Sequence, residues 1–375
     1  MINNPLAPGY AARPRGMVFA NGERLAGVHS FQVDNNTFFQ ADTFRLSLAM
    51  SAQPAARAFD WWAQQEKLEL EFLIGFPSDP NSFQKVELTS FLVGYADDLE
   101  FDPVADVMTL TGRDLTSKLI DFKQTLFSKT VRGQKASDIV TQIAVAQGLT
   151  PVVTATTAAT GGYYQIVNAL IASNATYWDI VTRLAQLEGF QTYVKGHELH
   201  FEPRTDPAAD PYVIQWRPPA DQTASPAVNV QRLQFRRNLS VAKDLRVRVL
   251  SFDQKTKKTV NEVADRKRVR SRTSKATPYD GPPQEYVRTF PNLTAAQAQA
   301  KAQALLVELS KHEMNLTADL PGDLLLSATN MVKVIGTGTA FDQTYFASSV
   351  VRTFSFDEGF RMALTAKNQT PNNAV

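Results

Sequence analysis

The stretch that decides the fold is "YWDIVTRLAQLEGFQTYVKGHELHFEP", residues 177–203. It predicts one amphipathic helix, a glycine stop and a short hairpin. Ile180 and Leu184 recur at helical spacing and form a buried stripe. Asp179 falls in the first helical turn, where the macrodipole favours a negative charge. Gly189 suits the left-handed residue that ends a helix. The stretch contains no obvious catalytic group.

A related unit, "SDIVTQIAVAQGLTPVV", lies upstream at residues 137–153. In each unit the glycine is followed by a large apolar residue: Leu149 follows Gly148, and Phe190 follows Gly189. We expect two helices packed on a small sheet formed by their own trailing strands; a sugar-binding LysM-like module is the alternative. The identities are Asp138/Asp179, Ile139/Ile180, Val140/Val181, Thr141/Thr182, Ala144/Ala185 and Gly148/Gly189.

Outside this middle region the pattern is mostly of period two, which is typical of strands. "FRLSLAMS" places Phe44, Leu46 and Leu48 on one face, and "DLRVRVLSFD" does the same with Val247 and Val249. The fold class is therefore a β-rich α+β protein. The predicted parts are an extended arm (1–16), a first β domain (17–112), an α+β middle domain (113–204), a linker (205–227) and a second β domain (228–375) with one helix at about 293–312.

Composition limits the function classes. The chain has 375 residues, which is enough for several cores, and its net charge of +2 gives no global attraction to nucleic acid or membrane. The absence of cysteine excludes disulfides, thiol nucleophiles and thiolate metal sites. No apolar run has signal-peptide or bilayer-spanning length, so we expect a protein made in the cytoplasm with no membrane partner.

Catalytic and ligand motifs are not found. His197 and His200 fall in the predicted hairpin, where a spacing of three places side chains on opposite faces and makes a poor metal chelate. "GTGTAFD", residues 336–342, follows a strand but opens no helix, so it predicts a wide β-turn rather than a phosphate loop. We expect no enzyme activity, no cofactor and no metal.

Two further features are candidate interfaces. The basic segment 255–275 has no interleaved aromatic residues for base stacking, so an acidic partner or solvent is favoured over nucleic acid. Trp61 and Trp62 are adjacent, and on a helix they point about 100° apart, so one can be core while the other anchors a protein interface. The candidate cations are Lys257, Lys258, Arg266, Arg268 and Arg270.

The order of these pieces resembles the baseplate hub proteins of contractile-tailed phages, the late control gene D family, and especially the hubs of Mu-like phages. The resemblance covers nearly the whole chain from about Met17. Its motifs are "TLTGRDLTSKLID", the middle stretch from Asp179, and "VKVIGTGTAFDQTYF" near the end. The residues that carry it are Gly112, Arg113, Asp114, Leu115, Asp179, Ile180, Leu184, Ala185, Gly189, Phe190, Gly336, Gly338, Phe341, Asp342 and Tyr345.

The resemblance implies two tail-tube-like β-barrels flanking the small α+β domain, as in the N-terminal half of VgrG-type spike proteins. It implies a homotrimer forming a pseudo-sixfold ring in the virion's tail baseplate, between a threefold spike and the sixfold tail tube. The implied partners are the central spike, tail tube, tape-measure and baseplate wedge or other hub proteins. The chain shows no OB-fold region or β-helical repeat, so we expect the spike to be a separate polypeptide.

Three alternatives stay open at this point. The chain can be the hub of a related contractile injection system. It can be a cell-wall-binding or cell-wall-degrading protein of the tail tip, although no acid/base pair is apparent. It can bind DNA through the basic segment, in which case binding would depend steeply on salt.

Overall fold

The computed structural model describes residues 1–5, 13–37, 39–122, 134–157, 175–204, 210–219, 221, 223, 225–239, 244–253, 257–266, 281–290, 293–310 and 313–368. Within these residues there are five α-helices: α1 Phe59–Ala63, α2 Ser117–Ile120, α3 Ala136–Ala146, α4 Tyr177–Glu188 and α5 Ala295–Ser310. The first ten strands are β1 Arg15–Ala20, β2 Glu23–Arg24, β3 Val28–Asn36, β4 Thr43–Ala49, β5 Glu69–Gly75, β6 Thr89–Asp102, β7 Val107–Asp114, β8 Thr150–Val153, β9 Phe190–Lys195 and β10 Glu198–Pro203. The others are β11 Tyr212–Arg217, β12 Ala227–Val228, β13 Arg232–Arg237, β14 Leu245–Asp253, β15 Lys258–Arg266, β16 Gln284–Thr289, β17 Met314–Pro321, β18 Met331–Ile335, β19 Thr344–Ser355 and β20 Gly359–Asn368.

One 14-stranded sheet joins the two β regions. Its main path is β12-β11-β18-β19-β3-β4-β7-β6-β5-β1-β2, and β20, β17 and β13 branch from β19. The join is the antiparallel pairing of β3 with β19, which runs from Ser349 opposite Asn36 to Ser355 opposite Ser30. Alternating apolar residues of both regions meet in one core cluster, where Phe31 stacks on Phe354 at 5.2 Å. The first and second β regions therefore share one sheet and one core.

This sharing differs from the expected separation into two β domains. Among the described strands the pairing is an open path with a branch, so the two tail-tube-like barrels stay a prediction. Part of the predicted linker is also a strand. The residues Tyr212, Val213 and Ile214 of β11 are buried, and they pair in parallel with β18. The apolar residues of β11 are few and lie within a Pro-rich stretch. The sequence pattern therefore did not indicate a strand here.

The predicted N-terminal arm lies along β11 at its start. The backbone N–H of Ile2 donates to the carbonyl oxygen of Pro211 at 3.1 Å. The Asn3 side chain both donates to and accepts from the backbone of Val213, at 2.9 Å and 2.7 Å. Residues 6–12 of the predicted arm lie outside the described residues.

The middle region has the architecture that the repeated unit predicts. Helices α3 and α4 pack on a three-stranded sheet of order β8-β10-β9, in which β8 trails α3 and β9 trails α4. Their apolar stripes form a second core cluster with Val93 of the main sheet. Helix α4 is attached to the first β region by the Trp178 indole, which donates to the Phe39 carbonyl oxygen at 3.1 Å.

The second β region contains an inserted unit that the sequence did not separate. Strands β13 and β17 are antiparallel neighbours in the main sheet, yet residues 238–313 lie between them in sequence. This inserted unit has its own sheet, of order β15-β14-β16, covered on one side by α5. Its core contains Leu245, Val247 and Val249 facing Ala298 and Ala302. The sequence predicts the Ala-rich helix from its helix-forming residues. It does not indicate a separate core, because the residues that the helix buries there include small alanines.

A buried ion cluster holds the inserted unit where it leaves the main sheet. The carboxylate of Glu313 contacts the Arg266 guanidinium at 2.6 Å and that of Arg237 at 3.1 Å. The side chains of Glu313 and Arg266 are 2% and 4% exposed. Because one carboxylate pairs with two arginines from different sheets, this cluster fixes the inserted unit to β13.

Candidate functional site

The motif Gly112-Arg113-Asp114-Leu115 is a joint between the main sheet and the middle region. Gly112 of β7 is paired with Ala96 of β6, beside a bulge in β6. An alanine Cβ at this position would approach the Tyr95 carbonyl oxygen to 2.1 Å. Only glycine permits this approach. Leu115 is fully buried in the second core, whereas Leu110, five residues earlier in β7, is buried in the first core.

Arg113 and Asp114 fix the turn that leaves the sheet. The Arg113 guanidinium donates to both carboxylate oxygens of Asp97 at 2.7 and 2.8 Å and also contacts Asp121 after α2. The hydrogen bonds to Asp97 hold the pKa of Arg113 above its ordinary value. Asp114 is buried and accepts from the Thr116 backbone N–H and hydroxyl at 3.1 and 2.9 Å, which starts α2. Asp114 therefore closes the turn that leads into α2, whose first residue is Ser117.

A cleft of about 300 Å³ opens beside this joint, between the first β region, the middle region and the second β region. Its floor contains Asp42, Asp114 and Arg352. The Asp42 carboxylate accepts from the Asn36 backbone N–H and the Asn35 amide, both at 2.6 Å. The cleft thus lies where three parts of the chain meet, and it is lined by ionisable groups taken out of water.

Burial controls the protonation of these groups. Burial raises the pKa of Asp42 to about 6, against hydrogen bonds from Asn36 and Asn35 that lower it. Burial, and then the charge of Asp42, raise the pKa of Asp114 well above its ordinary value. Burial lowers the pKa of Arg352 to about 10. The cleft floor therefore favours a neutral Asp114 next to Asp42, whose charge also acts on Arg352.

Arg352 is the central polar side chain of the cleft. It is 2% exposed, its guanidinium donates to the Asn35 side chain and the Leu326 carbonyl oxygen, and it lies 4.3 Å from the Phe91 ring centroid. Within the described residues its Nε has no hydrogen-bond partner. Sequence reasoning did not single out Asp42 or Arg352. Asp42 immediately precedes β4 and Arg352 lies in an ordinary strand pattern, and the β3–β19 pairing brings them together.

The residues of the repeated unit act as helix ends and packing contacts. Asp179 and Thr176 form a reciprocal capping box at the start of α4, with hydrogen bonds of 2.9 and 3.0 Å. Gly189 ends the helix with a φ of 72°. Ile180, Leu184 and Ala185 are buried in the second core, and Phe190 packs against it.

The loop "GTGTAFD" is closed on itself. The Asp342 carboxylate accepts from the backbone N–H groups of Thr337 and Gly338 at 2.9 and 2.8 Å. These amides, which a phosphate would need, are thus satisfied internally. Gly336 allows a close approach to the Trp216 backbone, and the buried Tyr345 hydroxyl donates to the Phe341 carbonyl oxygen at 3.0 Å. The loop is a turn, as predicted.

The candidate interface residues are dispersed. Trp62 is buried and its indole donates to the Arg57 carbonyl oxygen at 3.0 Å, while Trp61 is half-buried and meets Trp62 edge to face. Lys257 and Lys258 are exposed at the turn between β14 and β15. Arg266 corrects the prediction of an exposed basic run, because it is buried against Glu313. Arg268 and Arg270 lie outside the described residues.

The described part of the chain has neither a metal-ligand cluster nor a membrane-spanning helix. In that part, no three His, Cys, Asp or Glu side chains group closely enough to hold a metal ion. No helix within the described ranges has both the length and the apolar character needed to cross a membrane.

Comparisons with known proteins concern the fold. No protein-family model matches the sequence, and no curated protein matches it either. The tail protein of Neisseria meningitidis MC58 aligns with a TM-score of 0.66 at 15% identity, over 97% of this chain and 100% of that chain. The 43 kDa tail protein of prophage MuSo2 from Shewanella oneidensis aligns with a TM-score of 0.62 at 12% identity, over 97% and 100% of the two chains. Prophage tail protein gp18 of Listeria monocytogenes EGD-e aligns at 0.53 and 11% identity, over 95% of each chain.

These alignments span nearly the complete chains, so they include the main sheet, the middle region and the inserted unit together. The resemblance to phage tail proteins that the motif order indicated is confirmed at the level of the fold. The chain has the fold of these phage tail proteins.

Proposed function

We propose that this protein is a structural component of a phage tail. The observation that carries the proposal is the end-to-end likeness to solved tail proteins, which covers 97% of this chain and 100% of two of them. The motif residues support it, because Asp114 and Asp342 close turns, Asp179 caps a helix, and Leu115, Ile180 and Leu184 fill a core. A structural role requires such joints, whereas catalysis would require an acid/base pair in reach of a substrate.

In its specific form, the proposal is a homotrimeric baseplate hub. Three copies form a pseudo-sixfold ring that joins a threefold spike to the sixfold tail tube and helps to initiate tube assembly. The motif order that resembles Mu-like hubs supports this form. Symmetric closure also explains why assembly would stop at a ring. The proposed partners are further copies of the chain, the spike, tube, tape-measure and wedge or other hub proteins.

Strand β13 is the proposed contact between copies. It pairs only with β17 among the described strands and so lies at an edge of the main sheet. Its sequence "RLQFRR" presents half-buried Leu233 and Phe235 beside arginines. Leu233 and Phe235 pack on the chain's own core, so the contact would be made by the free backbone groups of this six-residue edge, which a neighbouring copy would cover. Trp61 remains a second candidate anchor for an interface.

Native mass measurement tests the proposal. The purified chain is weighed by native mass spectrometry alone and mixed with the candidate spike protein, and any trimer is imaged by electron microscopy. We expect a trimer in at least one sample and a ring with six similar lobes. A monomer in both samples, together with cleavage of purified cell wall, would instead identify a tail-tip enzyme. A trimeric particle without six lobes would contradict the pseudo-sixfold ring but not the structural role.

A further inference from the structure

The cleft between the three parts of the chain presents the edge of a strand. Every residue from Gln191 to Gly196 lines it, which means that the backbone of β9 forms one wall. Strand β9 pairs only with β10 among the described strands, so its other side is a sheet edge. An edge of this kind offers unpaired N–H and C=O groups to another extended chain.

The hairpin identifies the backbone groups on that edge. β9 and β10 are joined by the two-residue turn Gly196-His197, and Lys195 is paired with Glu198. In a two-residue hairpin the flanking pair exchanges both of its hydrogen bonds, and the next pair does not. The N–H and C=O groups of Val194 and Thr192 therefore point away from β10, into the cleft.

A second strand meets the cleft on the opposite side. Residues 89–93, the start of β6, line it. The pairing of β6 with β7 begins only at Gly94. Before that residue, the edge of β6 that would face β7 is not paired with β7. Side chains of Phe39, Phe91, Tyr193 and Phe346 supply apolar surface between the two walls. The geometry matches recognition by strand addition, in which backbone bonds supply affinity and flanking pockets supply specificity.

The charges of the cleft favour an acidic occupant. Its lining includes three cations, Lys195, Arg204 and Arg352, and two carboxyl groups, Asp42 and Asp114. Lys195 and Arg204 are exposed at the mouth, while Arg352 is buried on the floor with an unpartnered Nε among the described residues. Burial favours the neutral form of Asp114, so three cations of the lining face the single carboxylate of Asp42. Glu308, which does not line the cleft, lies 3.9 Å from Arg204. The lining itself therefore carries a net positive charge.

We propose that this cleft binds an extended peptide segment of a partner protein, rich in Asp or Glu, which adds as a strand to the free edge of β9. An acidic side chain of the peptide pairs with Lys195 or Arg204 at the mouth. The proposal concerns a site on the single chain, so it does not depend on the trimeric ring, and the experiment that tests it is independent of native mass.

The test uses the full chain and a phage-displayed library of random linear dodecapeptides. Enriched peptides are synthesised and titrated by fluorescence anisotropy. We expect acidic sequences with alternating apolar residues. Their affinity should fall about tenfold or more in Lys195→Glu/Arg204→Glu, and should be unchanged in Lys333→Glu, a matched control on the exposed side of β18. Hydrogen exchange at the Thr192 and Val194 amides should slow when the peptide is bound.

A backbone variant tests the strand addition itself. Val194→Pro removes an N–H from the free edge without removing a hydrogen bond to β10, and it should abolish peptide binding while the mouth charges remain. Thermal unfolding checks that Val194→Pro is folded. If Val194→Pro does not fold, the variant Lys195→Glu/Arg204→Glu still tests whether the peptide binds in this cleft. The proposal is overturned if the library yields no enriched peptide. It is also overturned if the enriched peptides bind the wild type and the charge variant equally, or if the β9 amides exchange at the same rate with peptide bound.

Discussion

Two buried clusters of charged residues connect the parts of this molecule. Glu313 pairs with Arg266 and Arg237 where the inserted unit meets the main sheet. Arg352, with Asn35 and Asp42, occupies the place where the two β regions and the middle region meet. Burying such charges costs desolvation, and their mutual attraction repays this only with good geometry. These clusters therefore contribute less to overall stability than to the specific arrangement of the β regions, the middle region and the inserted unit. If one of these parts were displaced, a charge would remain buried without a partner.

The buried carboxyl group of Asp42 predicts a pH dependence of stability. Its pKa is about 6 in the folded chain against an ordinary value of 3.8, so the folded state binds the proton more tightly than the unfolded state. The stabilisation is complete below about pH 4 and is lost as pH rises to about 6. Relative to Asp42→Asn, the wild type should lose roughly 3 kcal/mol of unfolding free energy across this interval.

Urea unfolding of both proteins between pH 4 and 8 measures this difference. Using the difference between the two proteins cancels the titration of the other carboxyl groups. Asp114, whose pKa is also raised, would extend the loss above pH 6 if it titrates together with Asp42. A difference that stays constant over the whole range would show that Asp42 is not held neutral by burial.

At the scale of the elements, glycines are required at a helix end and at a close contact between two paired strands. Gly189 adopts a positive φ, and an alanine Cβ there would meet nothing within 4 Å. Gly112 sits instead against the backbone of β6, where the same Cβ would be 2.1 Å from a carbonyl oxygen. One glycine is needed for its backbone conformation and the other for its lack of a side chain.

These two glycines predict different costs on replacement by alanine. Gly189→Ala should lower the unfolding free energy by about 1 kcal/mol, because only the left-handed conformation is penalised. Gly112→Ala should cost at least about 3 kcal/mol, because β6 and β7 must separate to accept the methyl group. Denaturant unfolding of both variants measures this, with Gly148→Ala as a control that should resemble Gly189→Ala. Equal costs at Gly112 and Gly189 would contradict the steric argument.

Element by element, the sequence predicts what is local. The capped helix from Tyr177, its glycine stop and the hairpin after it are all read from spacing, as is the turn at "GTGTAFD". The strand Tyr212–Arg217 was missed, because its pairing partner β18 lies more than a hundred residues away. The cleft could not be predicted for the same reason. Asp42 and Arg352 meet through the β3–β19 pairing, and no local pattern of period two specifies which strands will be neighbours.

At the scale of the whole molecule, the shared sheet makes the two β regions dependent on each other. β3 is hydrogen-bonded to β19 along seven residue pairs, and Phe31 packs on Phe354. Removing either region would uncover a long edge strand and half of the core. Two independent barrels, as the family resemblance implies, would instead each keep a complete core.

Fragments of the chain distinguish these arrangements. A fragment of residues 13–114 should be unfolded or aggregated when expressed alone, and should become soluble when co-expressed with residues 205–375. Circular dichroism and thermal unfolding measure the state of each sample. A cooperative unfolding transition of the fragment 13–114 alone would show that the first β region is an independent domain.

The neck of the inserted unit has a consequence for how such proteins diversify. Arg237 and Met314 are directly opposite each other on neighbouring strands, so the chain leaves and re-enters the sheet within one strand spacing, about 5 Å. A foreign module whose own termini lie equally close could replace the unit without altering the scaffold. The exchange would carry a single chemical requirement: the newcomer must supply a carboxylate in the position of Glu313, or Arg237 would lose its counter-ion.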